Sequence, residues 1–250
     1  MNASPQSPIL KVENLTKYFG GLAALKDVSF EVPKGQIYGF IGPNGAGKTT
    51  LFSTIAGSLP PSSGRIVAKG KDVTGAKAHE LVKAGIARTH QVVRPFRAMT
   101  VLENVQVGLY FGRKSVSARS AREQAMQVLN RVGLAHYADR KASTLSLGEQ
   151  KKLELARALA TDPDLLLCDE ICGGLSPKET HSMLALLSLI REQGKTIMYV
   201  EHDVKAIMSL CDRVMVLNYG QKLAEGKPHE IQQDEAVIEA YLGHRAKRVA

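Results

Sequence analysis

The stretch Gly42-Pro43-Asn44-Gly45-Ala46-Gly47-Lys48-Thr49 decides how this sequence is read. It follows the short apolar run from Gln36 to Ile41 and opens a helical pattern from Lys48 to Ala56. A strand, a glycine-rich loop and a helix in that order fit the phosphate-binding pattern G-x-x-x-x-G-K-[ST]. Each part has a physical task. The glycines let the backbone turn tightly, so that several N–H groups point at one phosphate chain. Lys48 brings a mobile positive charge to the β- and γ-phosphates. Thr49 offers a hydroxyl to Mg²⁺, and the following helix points its positive end at the anion.

Downstream, Leu165-Leu166-Leu167-Cys168-Asp169-Glu170 is an apolar strand that ends in two carboxylates. The strand end is expected to place Asp169 near the ion held by Thr49. Glu170, one residue on, is placed to polarise a water in line with the γ-phosphate. Around these two anchors, the stretches Ile9–Asn14, Val28–Val32 and Arg65–Ala68 read as strands. From about Thr100 to Asp162 the pattern is helical, without a convincing strand. Strands and helices then alternate: Leu165–Asp169, a helix from about Pro177, Thr196–Val200, a helix from about Val204, and Arg213–Leu217. Such alternation implies an α/β fold with a mainly parallel sheet covered on both faces. The expected organisation is a disordered start at 1–8, one domain at 9–243 with a helical subdomain at about 95–162, and a basic tail at 244–250.

The 250 residues carry 44% hydrophobic and 23% charged side chains, which excludes wholesale disorder. Thirty-three Lys and Arg against 24 Asp and Glu leave a net charge of +9. That surplus suits nucleic acid, acidic lipid or phosphorylated ligands, and does not choose among them. Aromatic residues are 5% with no Trp, which weakens any reading built on base-stacking platforms. The three cysteines, Cys168, Cys172 and Cys211, are an odd count without a His/Cys cluster. They read as inert thiols in a reducing compartment. The polar start carries no secretory signal, and no apolar run reaches the length of a membrane span.

The segment Leu145-Ser146-Leu147-Gly148-Glu149-Gln150 opens a further helix. By itself it is a capping box, with Ser146 as N-cap and Glu149 three residues on. Its position 23 residues before Asp169 gives it a second meaning. Taken with the phosphate loop, Gln91, Leu165–Glu170, Gly173–Ser176 and Glu201-His202-Asp203, it resembles the ATP-binding subunits of ABC transporters from about Leu10 to Gly243. The resemblance implies a P-loop NTPase fold: a RecA-like core, an antiparallel β subdomain and an inserted α-helical subdomain. It also implies a head-to-tail dimer with two ATP molecules between the phosphate loop of one subunit and the signature segment of the other.

Residue roles follow from the same resemblance. Gly42, Pro43, Asn44, Gly45, Ala46, Gly47, Lys48, Thr49 and Thr50 cradle the phosphates. Phe19 stacks on adenine, with Tyr18 as the alternative and a core aromatic as the plain reading. Ser146, Gly148 and Glu149 face the γ-phosphate of the partner's ATP. Thr49, Asp169 and Gln91 serve Mg²⁺, and Gln91 also reports to the membrane subunit. Glu170 is the catalytic base and His202 contacts the γ-phosphate. Leu147 stands where Gly is usual and Glu149 where Gln is usual. Ile171 replaces Pro, and Ser176 replaces an Asp or Asn; Ser176 is expected to hydrogen-bond across the dimer with shorter reach.

Arg88-Thr89-His90-Gln91, Arg97–Val105, Gly174–Thr180 and Ala240–Gly243 are similar to the branched-chain amino acid importer ATPases, with His90 in place of a more usual Phe. The lipopolysaccharide-export ATPases share the Tyr-Leu-Gly near the end but less of the middle. The implied partners are ATP, a second identical or paralogous ATPase subunit, permease subunits and, indirectly, a solute-binding protein. The implied location is the cytoplasmic face of the inner membrane, as a peripheral subunit. The segment Gln91–Asn104 is expected to form a docking groove for a permease helix; packing of the subdomain core is the alternative. A soluble ABC ATPase acting on nucleic acid or ribosomes is the competing class. One domain without a heptad run argues against it.

Overall fold

The computed structural model describes residues 7–90, 93–114 and 116–246, with side chains as far as Tyr241. In chain order the elements are β1 (Leu10–Phe19), β2 (Leu22–Val32), β3 (Ile37–Ile41), α1 (Lys48–Ile55), β4 (Ser63–Ala68), β5 (Lys71–Asp72), α2 (Ala78–Ala84) and β6 (Ile86–Arg88). There follow α3 (Val101–Phe111), α4 (Ala118–Val132), α5 (Leu147–Ala160), β7 (Leu165–Asp169), α6 (Pro177–Glu192), β8 (Thr196–Val200) and α7 (Val204–Leu210). The chain closes with β9 (Arg213–Asn218), β10 (Gln221–Gly226), α8 (Pro228–Gln233) and α9 (Glu235–Ala246). It divides into two compact units, Met1–Ala78 with Thr196–Ala250, and His79–Lys195.

The first unit holds two sheets. One is antiparallel, in the order β2-β1-β4-β5. In the other, β3 lies between β8 and β9 and runs parallel to both, and β10 closes the edge antiparallel to β9. Every residue of β3 and β8 is buried. That matches their unbroken apolar runs, because a parallel strand covered on both faces has no polar side to show. A cluster of rings ties the layers together. Phe40 on β3 meets Phe30 on β2 at 5.4 Å between centroids and Phe52 on α1 at 5.4 Å, both edge-on. The helix after the glycine-rich loop is thereby fixed to the strand before it.

The second unit pairs β6 with β7 in parallel, with Arg88 opposite Leu167. Helices α3, α4 and α5 pack on one another. On α4 the buried residues Ala121, Ala125, Val128, Leu129 and Val132 form one helical stripe, and the rest is solvated. Its ends are set by Ser117 at the N-cap and by Gly133 in the left-handed region. Thr100, Ser146 and Ser176 cap α3, α5 and α6, each in a reciprocal box with the glutamate three residues on. Between Thr100 and Asp162 the described residues are helical, apart from short turns and one isolated bridge between Thr100 and Lys141. Among the described residues no helix is long and apolar enough to cross a membrane.

Candidate functional site

The glycine-rich loop is shaped by its main chain. Gly47 has φ 101° and stands at the N-cap of α1. A Cβ there would lie 2.6 Å from the Ala24 carbonyl oxygen, and one at Gly42 would run into that of Leu217. Neither position tolerates a side chain. No side chain caps α1, and its first turn carries no acid, so its leading N–H groups are left to an anion. Lys48 is buried, and its Nζ donates to the carbonyls of Gly42 at 2.6 Å and Pro43 at 3.0 Å. Asn44, Gly45 and Thr49 are exposed, and Pro43 and Thr50 half-buried. Ala46 is buried under the loop. Tyr241 on α9 accepts from the Gly42 N–H. Burial pushes its hydroxyl up to about 12, and that hydrogen bond works the other way. The sequence marked Tyr241 only as part of the Ala240–Gly243 run.

At the end of β7, Asp169 is buried. Its Oδ2 accepts from Arg88 Nη2 at 2.6 Å. Its Oδ1 is also buried, with no hydrogen-bond partner among the described residues. Glu170 follows in the left-handed region, φ 49°, a conformation that a side chain of this kind adopts only when its surroundings hold it there. One such hold is Lys151 on α5. This lysine is buried, and its Nζ donates to the Glu170 carbonyl at 3.0 Å. Sequence reasoning missed it. The signal was present, since Lys151 shares a helical face with Leu155, one turn along α5.

The signature segment is closed on itself. Ser146 Oγ accepts from Glu149 N–H at 3.4 Å, and Glu149 Oε2 accepts from Ser146 N–H at 2.7 Å. Burial raises the Glu149 carboxyl, but bonds from the Tyr137 hydroxyl and from Ser146 outweigh it and leave the group below its ordinary value. Gly148 is buried, and a Cβ there would meet Glu179 Oε1. Leu147 is half-exposed. Ser176 is occupied in the same way as Ser146: its Oγ donates to Glu179 Oε2 at 2.6 Å and accepts from Glu179 N–H at 3.4 Å. The hydroxyl expected to reach a partner subunit is here the cap of α6.

Phe19 is half-exposed, with Lys17 Nζ 5.4 Å from its ring centroid, and Tyr18 is equally open. Both are accessible, and neither is a core aromatic. His202 is exposed after β8, and Asp203 beside it caps α7. Gln91 and Val92 lie outside the described residues. Of the expected docking residues, Val101 and Leu102 are buried in α3 and belong to the core. Phe96 stays open, with the Arg157 guanidinium 4.7 Å from its ring centroid, and Arg157 donates to the Arg94 carbonyl at 3.1 Å. Beside them lies a cavity of about 440 Å³ lined by Val93, Arg94, Pro95, Arg97, Ala142 and Gln150.

An open helix N-terminus behind a glycine-shaped loop, entered from a buried parallel strand, defines a P-loop nucleotide-binding protein of the α/β class. The ABC transporter family pattern matches residues 25–173. The pattern of branched-chain amino acid ATP-binding cassette transporters matches 221–247. The chain is 41% identical to the high-affinity branched-chain amino acid transport ATP-binding protein BraF of Pseudomonas aeruginosa, covering 94% of this chain and 98% of that protein. It is 40% identical to LivG of Escherichia coli, a protein of the same description, with the same coverage. An ATP-binding cassette of an ABC transporter, solved in its ADP conformation, superposes with a TM-score of 0.87 at 35% identity, over 95% of this chain and all of that one. A nucleotide-free cassette gives 0.85 at 34% identity, over 94% and 98%. The chain belongs to the ATP-binding subunits of ABC transporters and is an ATP-binding, ATP-hydrolysing protein.

Proposed function

We propose that this chain hydrolyses ATP to energise a membrane importer of branched-chain or related amino acids, working as a dimer with an identical or paralogous subunit beneath a pair of permeases. The observation that carries the solute class is the match of 221–247 to the branched-chain cassette pattern, supported by relatives of that description matched over nearly their whole length. A solute-binding protein then delivers to the permeases, and the subunit sits peripherally on the cytoplasmic face of the membrane. Nucleic acid has no place in this reading.

The residue roles are assigned as follows. The N–H groups of 42–50 and the Lys48 ammonium hold the phosphates, and Phe19 covers the adenine. Thr49, Asp169 and Gln91 would hold Mg²⁺. Oxygen donors of this kind suit a hard cation that keeps most of its water, and the spare Oδ1 of Asp169 fits it. When bound, the cation would supply positive charge to offset that of the phosphates. Glu170 takes the proton of the attacking water, and ADP and phosphate leave. His202 donates to the γ-phosphate. Ser146, Gly148 and Glu149 meet the nucleotide of the partner subunit. The cavity lined by Val93, Pro95 and Arg97, beside open Phe96, receives the permease helix.

Uptake tests the solute. Deleting the gene should abolish uptake of labelled leucine, isoleucine or valine at low external concentration. Unchanged uptake in a strain without a duplicate importer would overturn the solute class and leave the ATPase standing. A Phe96→Ala, Arg97→Glu variant should hydrolyse ATP normally yet fail to co-purify with the permeases. Retained co-purification would remove the groove from the assignment.

A further inference from the structure

A buried carboxylate without a counter-charge is costly, and Asp169 has a side chain only 2% exposed. The group that answers its charge is Arg88, 12% exposed, at 2.6 Å from Oδ2. The pairing is built into the sheet. Arg88 lies opposite Leu167 in the parallel β6–β7 ladder, so its side chain points along the edge toward the residue two further on. Thr89 reinforces the register, its N–H donating to the Leu167 carbonyl at 2.9 Å and its Oγ1 accepting from the Asp169 N–H at 3.4 Å. A guanidinium presents a planar fork of N–H donors that matches a carboxylate. It occupies one carboxylate oxygen and leaves the other, Oδ1, buried and without a hydrogen-bond partner among the described residues.

We propose that Arg88 is the resident counter-ion of Asp169. It neutralises the carboxylate when no metal-nucleotide is bound, and it tempers the attraction for the cation when one is. This rests on the reading of Asp169 as the carboxylate that faces the nucleotide's metal ion. Two positive groups share one carboxylate. The metal-free protein therefore does not strand a buried charge, and the cation is held more loosely than a lone carboxylate would hold it. That favours release of the spent metal-nucleotide between turnovers.

The test compares wild type, Arg88→Met, Arg88→Lys and the double variant Arg88→Met, Asp169→Asn, by thermal melting in chelator and then with Mg²⁺ and ADP. In chelator, Arg88→Met should melt on the order of 10 °C below wild type. Arg88→Lys should lose less. The double variant should recover most of the loss, because its asparagine needs no counter-charge. Adding Mg²⁺ with ADP should stabilise Arg88→Met more than wild type, and Mn²⁺ in the presence of ADP should bind it about tenfold more tightly. An unchanged melting temperature for Arg88→Met overturns the proposal. So does a double variant as unstable as the single one, since that outcome makes Arg88 a packing residue. Should Arg88→Met fail to fold, a folded double variant supports the proposal and an unfolded one overturns it. The metal reading is judged apart: if wild type gains no more from Mg²⁺ with ADP than from ADP alone, Asp169 does not face the metal, while the chelator arm still decides the ion pair.

Discussion

The helix that follows the phosphate loop and the helix that follows the signature serine are opposites at their N-termini. Helix α1 starts at a glycine, without a side-chain cap and without an acid in its first turn. Helix α5 starts at Ser146, which is locked in reciprocal bonds with Glu149. The first end is open and is shaped by backbone that only glycine adopts. The second is shut and is shaped by side chains. An end of the first kind owes its form chiefly to its glycines, and its charged residue adds bonds to the carbonyls of Gly42 and Pro43. An end of the second kind must be opened before an incoming phosphate can take its N–H groups, and a carboxylate already stands in the place of that anion.

The largest expected effect probes the chemistry that both ends serve. Glu170→Gln should slow hydrolysis roughly 10²–10⁴-fold. Its backbone hold through Lys151 stays intact, so the variant should remain folded and accumulate an ATP-bound dimer on gel filtration. Rapid turnover with a monomeric profile would remove Glu170 as the base. Next, Lys48→Ala should lower turnover roughly 10²–10³-fold, with a modest fall in melting temperature as the Gly42 and Pro43 carbonyls lose their donor. A large fall in melting temperature would break the comparison, since the loop would then depend on its lysine more than on its glycines.

Glu149→Gln sharpens the contrast. Glutamine closes a capping box as well as glutamate does, yet presents no negative charge to phosphate. ATP-driven dimer formation, followed by light scattering, should rise a few-fold. No change would mean that the charge at this closed end does not matter to the nucleotide.

The smallest effect is one of pH. Glu149 and Glu179 are both held below the ordinary value of 4.5, Glu179 chiefly by the Ser176 hydroxyl and then by its N–H. A lowered folded-state value means that their stabilisation is complete above about 4.5 and is lost as pH falls through the lowered values. Melting measured from about pH 6 to about pH 3 should therefore decline more steeply in wild type than in the Glu149→Gln, Glu179→Gln double variant. Parallel curves would show that the boxes add nothing in this range.

Much of this was legible because the core strands are apolar runs bounded by glycine or acid. Ile37–Ile41, Leu165–Asp169 and Thr196–Val200 announce themselves, as do the loop at 42–49 and the cap at Ser146. What escaped notice lacks a pattern of its own. Strand β6 has three residues, too few to show a period, and β5 has two. Strand β10, Gln221–Gly226, is a largely exposed edge whose polar sequence reads as a loop. The tie between Arg88 and Asp169 joins residues 81 apart, and no local rule pairs them. Ser176 is instructive in another way. It carries the same Ser-x-x-Glu spacing as Ser146, and so its role as a helix cap was available on the same grounds.

The contact of Gly148 with Glu179 bears on how inactive controls should be designed. The glycine sits against the carboxylate that closes Ser176 onto α6. A side chain placed there would have to displace the Glu179 carboxylate, and with it a bond of the box at the start of α6. A silent transporter made by substituting Gly148 would therefore confound lost nucleotide contact with a disturbed fold. Glu170→Gln, which leaves the bond from Lys151 to the Glu170 carbonyl in place, would give the cleaner blank.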